Sequence, residues 1–258
     1  MKARNLPAGQ GWRWLSGGFG LFRKNRLTLS LTVLSYWMLM AAINSLPVIG
    51  QIVATLLIPV FSVSLMNACR QVEQGSPLQP QVIFSGFRQN LRTLLVLGGA
   101  YTVASACILG IASIIDGGVL FQIIVMGDRP DENALSSGAF VMAVQTALLL
   151  FIPVMMAYWF APVLAAWHGL SAGKSLFFSL VACAQNWRAF LAYAMAVAVF
   201  GALLPGLMVG LLVSAIPHGS ELFSVLLPIL IVLIFMPTLY ASFYASYRDV
   251  FVAIDEDA

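Results

Sequence analysis

Six stretches of the chain run for about 20 residues or more without a single Asp, Glu, Lys or Arg. They span 27–46, 49–68, 93–115, 138–167, 189–216 and 222–247. A helix of that length crosses the hydrocarbon core of a bilayer. Only 9% of the 258 residues are charged, whereas a soluble domain is about one quarter charged, so this chain cannot cover a water-facing surface. The sequence therefore predicts an all-α polytopic membrane protein with six transmembrane helices. It excludes a soluble enzyme, a nucleic-acid-binding domain and a disordered scaffold.

The first apolar run has to be distinguished from a secretory signal peptide, because six Lys and Arg residues precede or begin it. A signal-peptide core is short, at about 7–15 apolar residues, and this run is longer. We therefore predict an uncleaved first span.

Basic residues are unevenly distributed among the segments outside the runs. Twelve of the 13 Lys and Arg residues lie in the amino-terminal segment, between runs two and three, between runs four and five, or in the carboxyl-terminal tail. Only Arg129 lies in the other loops, where it is accompanied by several acidic residues. Cytoplasmic loops carry the excess of Lys and Arg. Both termini are therefore predicted to be cytoplasmic, with three external loops of which only the middle one, 116–137, is long.

An Asn followed within two residues by an Arg marks the start of each odd-numbered run. The pairs are Asn25 and Arg26, Asn90 and Arg92, and Asn186 and Arg188. The segment ahead of each pair has helical periodicity. The predicted apolar faces are Trp12, Leu15, Phe19 and Phe22; Ile83, Phe84, Phe87 and Leu91; and Phe177, Leu180, Val181 and Ala184, the last opposing Ser171, Ser175, Ser179 and Asn186. We interpret these segments as amphipathic helices on the cytoplasmic interface, anchored by Trp, Phe and Arg.

The even-numbered runs share a proline about three helical turns before a basic residue. The prolines are Pro59, Pro162 and Pro237, which precede Arg70, Lys174 and Arg248 by 11, 12 and 11 residues. This agreement favours a single membrane domain, 1–258, built from three helical hairpins, each preceded by an amphipathic helix, with repeats at 9–70, 79–174 and 171–248. The alternative is that prolines are common in membrane helices and that basic residues flank such helices in any case.

These features together resemble an uncharacterised family of proteobacterial six-span inner-membrane proteins. The three hairpins, the Asn and Arg pairs, the prolines and the ending Tyr244-Ala245-Ser246-Tyr247-Arg248-Asp249 carry the resemblance over nearly the whole chain. More remotely, the layout is similar to the membrane domain fused to some bacterial glycerophosphodiester phosphodiesterases. The resemblance implies a fold and a bacterial inner-membrane location, and it carries no activity over to this chain.

Reactive side chains are scarce in the apolar runs. Ion-coupled transporters place ionisable residues at membrane depth, and the six runs hold no carboxylate. HExxH does not occur, and GxSxG occurs once, at 169–173, outside the six runs. Cys69, Cys107 and Cys183 have no CxxC spacing, and His168 and His218 have no carboxylate within two positions. We therefore predict no enzyme activity, no cofactor, no metal site and no disulfide framework, and we interpret the two histidines as interfacial polar residues.

Two sets of residues are candidates for function. The first is a basic belt that could hold anionic lipid head groups, at about 1 kcal/mol per residue: Arg23, Lys24, Arg26, Arg88, Arg92 and Arg188. The alternative is that the belt only sets the topology. The second is the set of proline kinks, which free the carbonyls of Thr55, Tyr158 and Leu233. These carbonyls either line a cavity or lie in static bends filled by neighbouring side chains.

The sequence thus favours a non-catalytic inner-membrane module that binds membrane lipids or a membrane-protein partner and serves envelope homeostasis. The alternative is a transporter or flippase for an uncharged or lipophilic solute, which requires a continuous cavity between the helices. No oligomeric state is predicted, because small residues such as Gly98 and Gly206 serve contacts within and between subunits alike.

Overall fold

The structure is a computed structural model that describes residues 3–46, 49–128, 130–215 and 220–251. Pro47, Arg129, Pro217, His218 and Gly219 lie outside the described residues. The described residues form helices joined by turns and short loops, and no strand occurs among them. The α-helices are α1 (Gln10–Lys24), α2 (Arg26–Asn44), α3 (Ile49–Glu73), α4 (Leu91–Asp116), α5 (Val119–Phe121), α6 (Glu132–Leu135), α7 (Gly138–Trp159), α8 (Ala161–His168), α9 (Ala172–Gln185), α10 (Trp187–Ala198), α11 (Leu204–Ala215) and α12 (Ser220–Phe251). A 3-10 helix spans Pro80–Arg88, and π-helical turns span Gln122–Met126 and Val199–Leu203.

Five helical segments of the described chain are long and apolar enough to cross a membrane. They are Arg26–Asn44, Ile49–Glu73, Leu91–Asp116, Gly138–His168 and Trp187–Leu211. Each coincides with one of the first five predicted runs, to within a few residues at its ends. The sixth predicted run, 222–247, lies inside α12, and most of the side chains in the first third of that helix are outside the described part of the chain.

The long loop between α4 and α7 begins with a tight turn closed by Asp116. One carboxylate oxygen of Asp116 accepts the Gly118 N–H at 2.8 Å, and the other accepts the Leu120 N–H at 2.7 Å. Gly117 and Gly118 adopt positive φ angles of 70° and 96°, which side chains disfavour. The Asp-Gly-Gly sequence, which is typical of turns, therefore forms one here.

All three predicted amphipathic segments are helical, but their faces differ from the prediction. In α1 the buried stripe is Gly11, Trp14, Leu15, Gly18, Leu21 and Phe22. Trp12 and Phe19, predicted on the same face as Leu15, are exposed. The second segment is the 3-10 helix, in which Ile83 is buried and Phe84 is exposed. A 3-10 helix turns every three residues instead of 3.6, so an α-helical face is not preserved along it.

Helix α9 turns its polar face toward the protein and its apolar face outward, which is the reverse of an amphipathic helix in a soluble protein. Ser175 and Ser179 are fully buried against the protein, whereas Phe177 on the predicted apolar face is 62% exposed. In a membrane the surroundings are apolar, so an outward-facing Phe costs little and a hydroxyl is better placed where it can find a partner. The amphipathic pattern of α9 thus locates the helix, and the structure shows that its serine face packs inward while Phe177 faces outward.

The core lies where the second half of α3, α8 and the end of α12 meet. In the most apolar 18-residue stretch of α3, 61% of the residues are buried. The corresponding fraction is 6% in Gly138–His168 and in Trp187–Leu211. Helices α1 and α9 complete this core, α1 packing against α12 and α10, and α9 against α7 and α8. A smaller cluster joins α4 to α7 through Ile108, Ala112, Ala143 and Ala147.

Candidate functional site

The three Asn residues that precede an Arg at the start of an odd-numbered run stand at the corners between an amphipathic segment and the span that follows. Asn25 separates α1 from α2, and Asn186 separates α9 from α10. Asn90 precedes α4 in the left-handed conformation, with φ 45° and ψ 43°. Asn tolerates that conformation better than most non-glycine residues. The sequence pattern therefore identifies the points at which the chain turns into each odd-numbered span.

Two of these Asn side chains also tie distant segments to the corner. The Asn90 amide donates to the Ala165 carbonyl of α8 at 2.9 Å. The Asn186 amide donates to the Arg4 carbonyl at 2.8 Å, and its Oδ1 accepts the Leu6 N–H at 2.8 Å. Asn186 is only 1% exposed, so these bonds satisfy a buried amide. The start of α4 is consequently tied to α8, and the start of α10 to the amino-terminal segment.

All six residues of the predicted basic belt are exposed in the structure. They lie at or beside the starts of α2, α4 and α10, which we call the basic end of the molecule. The Arg188 guanidinium stacks over the Trp187 ring, 5.4 Å from its centroid. Among the described residues, the ion pairs involve Arg248 with Glu73 and Asp249, and none involves the belt. The belt charges are thus available to a ligand at the surface.

The three proline segments converge on the core without opening it. Helices α3 and α12 run through Pro59 and Pro237, whereas α7 ends at Trp159 and Pro162 lies in the first turn of α8. Of the carbonyls freed by the prolines, that of Leu233 accepts the Ser30 hydroxyl at 3.0 Å. The space between the three segments is filled by large side chains that are at most 2% exposed: Trp14, Phe61, Met66, Phe160 and Tyr247.

This packing bears on the transporter alternative. Phe160 contacts Phe251, Tyr247 and Phe243, with ring centroids 5.2, 6.2 and 6.3 Å apart. Trp14 packs on Phe190 at 5.2 Å. In the described part of the chain, aromatic rings therefore pack closely where α1, α10, the start of α8 and the end of α12 meet. That arrangement favours static bends filled by neighbours over a cavity lined by free carbonyls.

Acidic residues at the basic end form a network that the sequence reasoning missed. Glu73 at the end of α3 forms an ion pair with Arg248, and the Tyr244 hydroxyl donates to its other oxygen at 2.5 Å. Asp249 accepts hydrogen bonds from the Gln10 amide at 2.5 Å and the Trp14 indole at 3.1 Å. These contacts bind the end of α12 to α3 and α1. The available signal was the position of Glu73 and Asp249 in the segments where nearly all the basic residues lie.

The described residues offer little reactive chemistry. No group of three His, Cys, Asp or Glu side chains among them is placed to hold a metal ion. Burial raises the pKa of the Cys183 thiol in α9 to about 12, although a hydrogen bond with Ser179 acts in the opposite direction. A thiol of that pKa is a poor nucleophile at neutral pH. What the structure presents at the basic end is exposed cationic charge beside apolar surface.

The fold thus defines the class of the protein as a multi-pass helical membrane protein. No protein-family model and no solved structure matches the chain. It is 36% identical over 201 residues to a probable inner membrane protein of Burkholderia thailandensis, in an alignment that covers 76% of this chain and 74% of the relative. The chain belongs to the family of that protein. The remote resemblance to the membrane domain of glycerophosphodiester phosphodiesterases finds no support in these comparisons.

Proposed function

We propose that the chain is a non-catalytic protein of the bacterial inner membrane that binds anionic lipid at its basic end and serves envelope homeostasis. The observation that carries this proposal is the exposure of all six belt residues, without an ion-pair partner in the described chain, beside exposed aromatic side chains. Trp12, Phe84 and Phe177 lie on the amphipathic segments at this end, and each is about half exposed or more. Cationic charge next to outward-facing rings suits the boundary between lipid head groups and acyl chains.

The location follows from the relative in Burkholderia thailandensis, which is named as a probable inner membrane protein. The scarcity of ionisable groups within the spans supports a non-catalytic role, because proton relays and intramembrane catalysis rely on such groups. The solid core supports lipid binding at the surface rather than passage of a solute through the interior.

We further propose that α12 is a sixth span, which completes three hairpins and places both termini in the cytoplasm. The excess of basic residues at one end supports this orientation. A reporter fused after Asn133 is expected to lie outside the cytoplasm, and one fused to the carboxyl terminus inside it. Alkaline phosphatase and green fluorescent protein fusions measure this directly. Signals from the same side of the membrane would show that the number of spans or the orientation is wrong.

Replacing Arg88, Arg92 and Arg188 with Gln is expected to reduce the anionic lipid that copurifies with the protein. Each substitution should weaken binding by about fivefold, since a basic residue near a lipid surface contributes about 1 kcal/mol. Lipid extracted from the purified protein and quantified by mass spectrometry measures the effect. The matched control replaces the same three residues with Lys, which keeps the charge and should retain the lipid. Equal lipid content in the Gln and Lys variants would contradict the proposal. Copurification of a partner protein in place of lipid would also contradict it.

A further inference from the structure

We propose that a hollow between α8 and α9 binds the head group of one anionic phospholipid, with its phosphate on Lys174 and its acyl chain on the neighbouring apolar wall. This inference rests on the proposed function and assigns it a particular site, which is separate from the belt. The hollow has a volume of about 600 Å³. Its lining residues are His168, Leu170, Gly173, Lys174, Phe177 and Phe178.

The corner between the two helices creates the hollow. Helix α8 ends at His168, and Gly169 then reverses the chain with a φ of +63°. Helix α9 begins at Ala172 and turns its serine face into the protein. Its opposite face, which carries Gly173, Lys174 and Phe177, is thereby left to form one wall. His168 forms the rim, where its Nε2 is hydrogen-bonded to the buried Tyr247 hydroxyl at 2.7 Å.

The chemistry of the wall matches an anion attached to a hydrocarbon chain. Lys174 supplies a positive charge, and the described lining residues include no carboxylate to compete for it. The His168 ring is held at the rim as a second polar group. The remaining wall is apolar, and Phe177 and Phe178 form an edge-to-face pair with ring centroids 5.9 Å apart.

A membrane lipid fits this wall better than a free anion. Phe177 is 62% exposed, and an outward-facing ring at the end of a membrane helix is best covered by the first methylene groups of an acyl chain. The hollow lies at the end of Gly138–His168, the longest of the candidate spans. Free phosphate would contact Lys174 but would leave the aromatic wall bare. The geometry therefore favours a phosphodiester head group whose glycerol and chains lie across Phe177 and Leu170.

Two kinds of substitution test the site. Lys174→Gln removes the charge, and Lys174→Arg preserves it. Gly173→Phe fills the hollow and leaves every charge in place. A Cβ at Gly173 meets nothing within 4 Å, so the new side chain starts in open space. Gly20→Phe is the matched control, because Gly20 is also an open helical glycine with nothing within 4 Å of an added Cβ.

The measurement is a native mass spectrometry titration of the full chain with dioleoylphosphatidylglycerol, repeated in the presence of inorganic phosphate. The wild-type protein should hold one lipid most tightly. Lys174→Gln should weaken that binding by about fivefold, the effect expected from one basic residue. Gly173→Phe should weaken it by at least as much, whereas Lys174→Arg and Gly20→Phe should bind as the wild type does. Thermal unfolding without added lipid checks that each variant folds.

Three outcomes would overturn the proposal in distinguishable ways. If Lys174→Gln and Gly173→Phe bind as the wild type does while the Gln variant of the belt loses lipid, the hollow is not the site and the proposed function stands. If the wild-type protein binds no phosphatidylglycerol, the proposed function fails as well. If inorganic phosphate displaces the lipid at equal concentration, the hollow is a site for free anions and the assignment to a lipid is wrong.

Discussion

Gly18→Ala and Gly86→Ala are each expected to leave little folded protein. A Cβ at Gly18 would lie 2.5 Å from the backbone nitrogen of Ser242, and one at Gly86 would lie 2.1 Å from the Val60 carbonyl oxygen. Both obstacles are backbone atoms, so no change of rotamer relieves the overlap, and the amphipathic segment has to move off the span. Overpacking a core costs about 1–3 kcal/mol when side chains can adjust. Here we expect a loss of about 3 kcal/mol or more in the free energy of unfolding.

The control for these substitutions lies in the same helix as Gly18. A Cβ at Gly20 meets nothing within 4 Å, and alanine is a better helix former than glycine by about 1 kcal/mol. Gly20→Ala is therefore expected to be neutral or stabilising. Fluorescence-detected size-exclusion chromatography and thermal unfolding in detergent measure all three variants. If the Gly18→Ala and Gly86→Ala variants melt at the same temperature as the Gly20→Ala variant, α1 does not approach α12, and the 3-10 helix does not approach α3, as closely as described.

These two glycines also relate one hairpin to another. Gly18 packs on Ser242, which follows Pro237 by five residues, and the Gly86 N–H donates to the hydroxyl of Ser64, which follows Pro59 by five residues, at 2.9 Å. The same offset thus places a serine against an amphipathic segment in two of the three predicted repeats. The residue five positions after Pro162 is Trp167, so the remaining hairpin uses a different contact. The two contacts thus share one offset from a proline, and the threefold repeat stays a prediction.

The sequence predicted those features that depend on local composition. Apolar runs of sufficient length locate the spans, and the Asn residues locate the corners, because both are properties of short segments. The inner face of α9 was not predictable in the same way. Whether Phe177 or Ser179 faces the protein depends on which distant helix supplies a partner for the hydroxyl, and that partner, the end of α7, lies about 20 residues away in sequence.

The residues of the candidate site also divide into those that local composition predicts and those that depend on distant contacts. The belt was identified from charge, and the structure shows its residues exposed. Lys174 was recognised in the sequence only as the basic residue that follows Pro162. Its hollow exists because Gly169 reverses the chain and α9 turns its serines inward. Glu73 was likewise unremarkable until the fold brought Tyr244 and Arg248 to it from more than 170 positions away. Non-local contacts of this kind leave no signal in the spacing of residues.

Ser179→Ala is expected to destabilise the protein by about 1–3 kcal/mol, the cost of leaving a buried polar group without a partner. The helix breaks between Trp159 and Ala161, so the Phe160 N–H does not reach the Met156 carbonyl four residues earlier. The Ser179 hydroxyl fills the gap, because it accepts the Phe160 N–H at 2.9 Å and donates to the Met156 carbonyl at 2.8 Å. A side chain inserted into the hydrogen-bond ladder is a recognised cause of a helix break.

Ser175→Ala is the matched control for this prediction. Ser175 lies about one turn before Ser179 on the same face of α9 and is equally buried, but its hydroxyl has no hydrogen-bond partner. Removing it takes away an unsatisfied polar group, so that variant should be neutral or more stable than the wild type. The two substitutions delete the same atom from neighbouring positions, and the melting temperature of the Ser179→Ala variant should lie several degrees below that of the Ser175→Ala variant. If both variants lose stability equally, the loss comes from packing on α9, and the hydroxyl bridge across the break at Phe160 does not stabilise the fold.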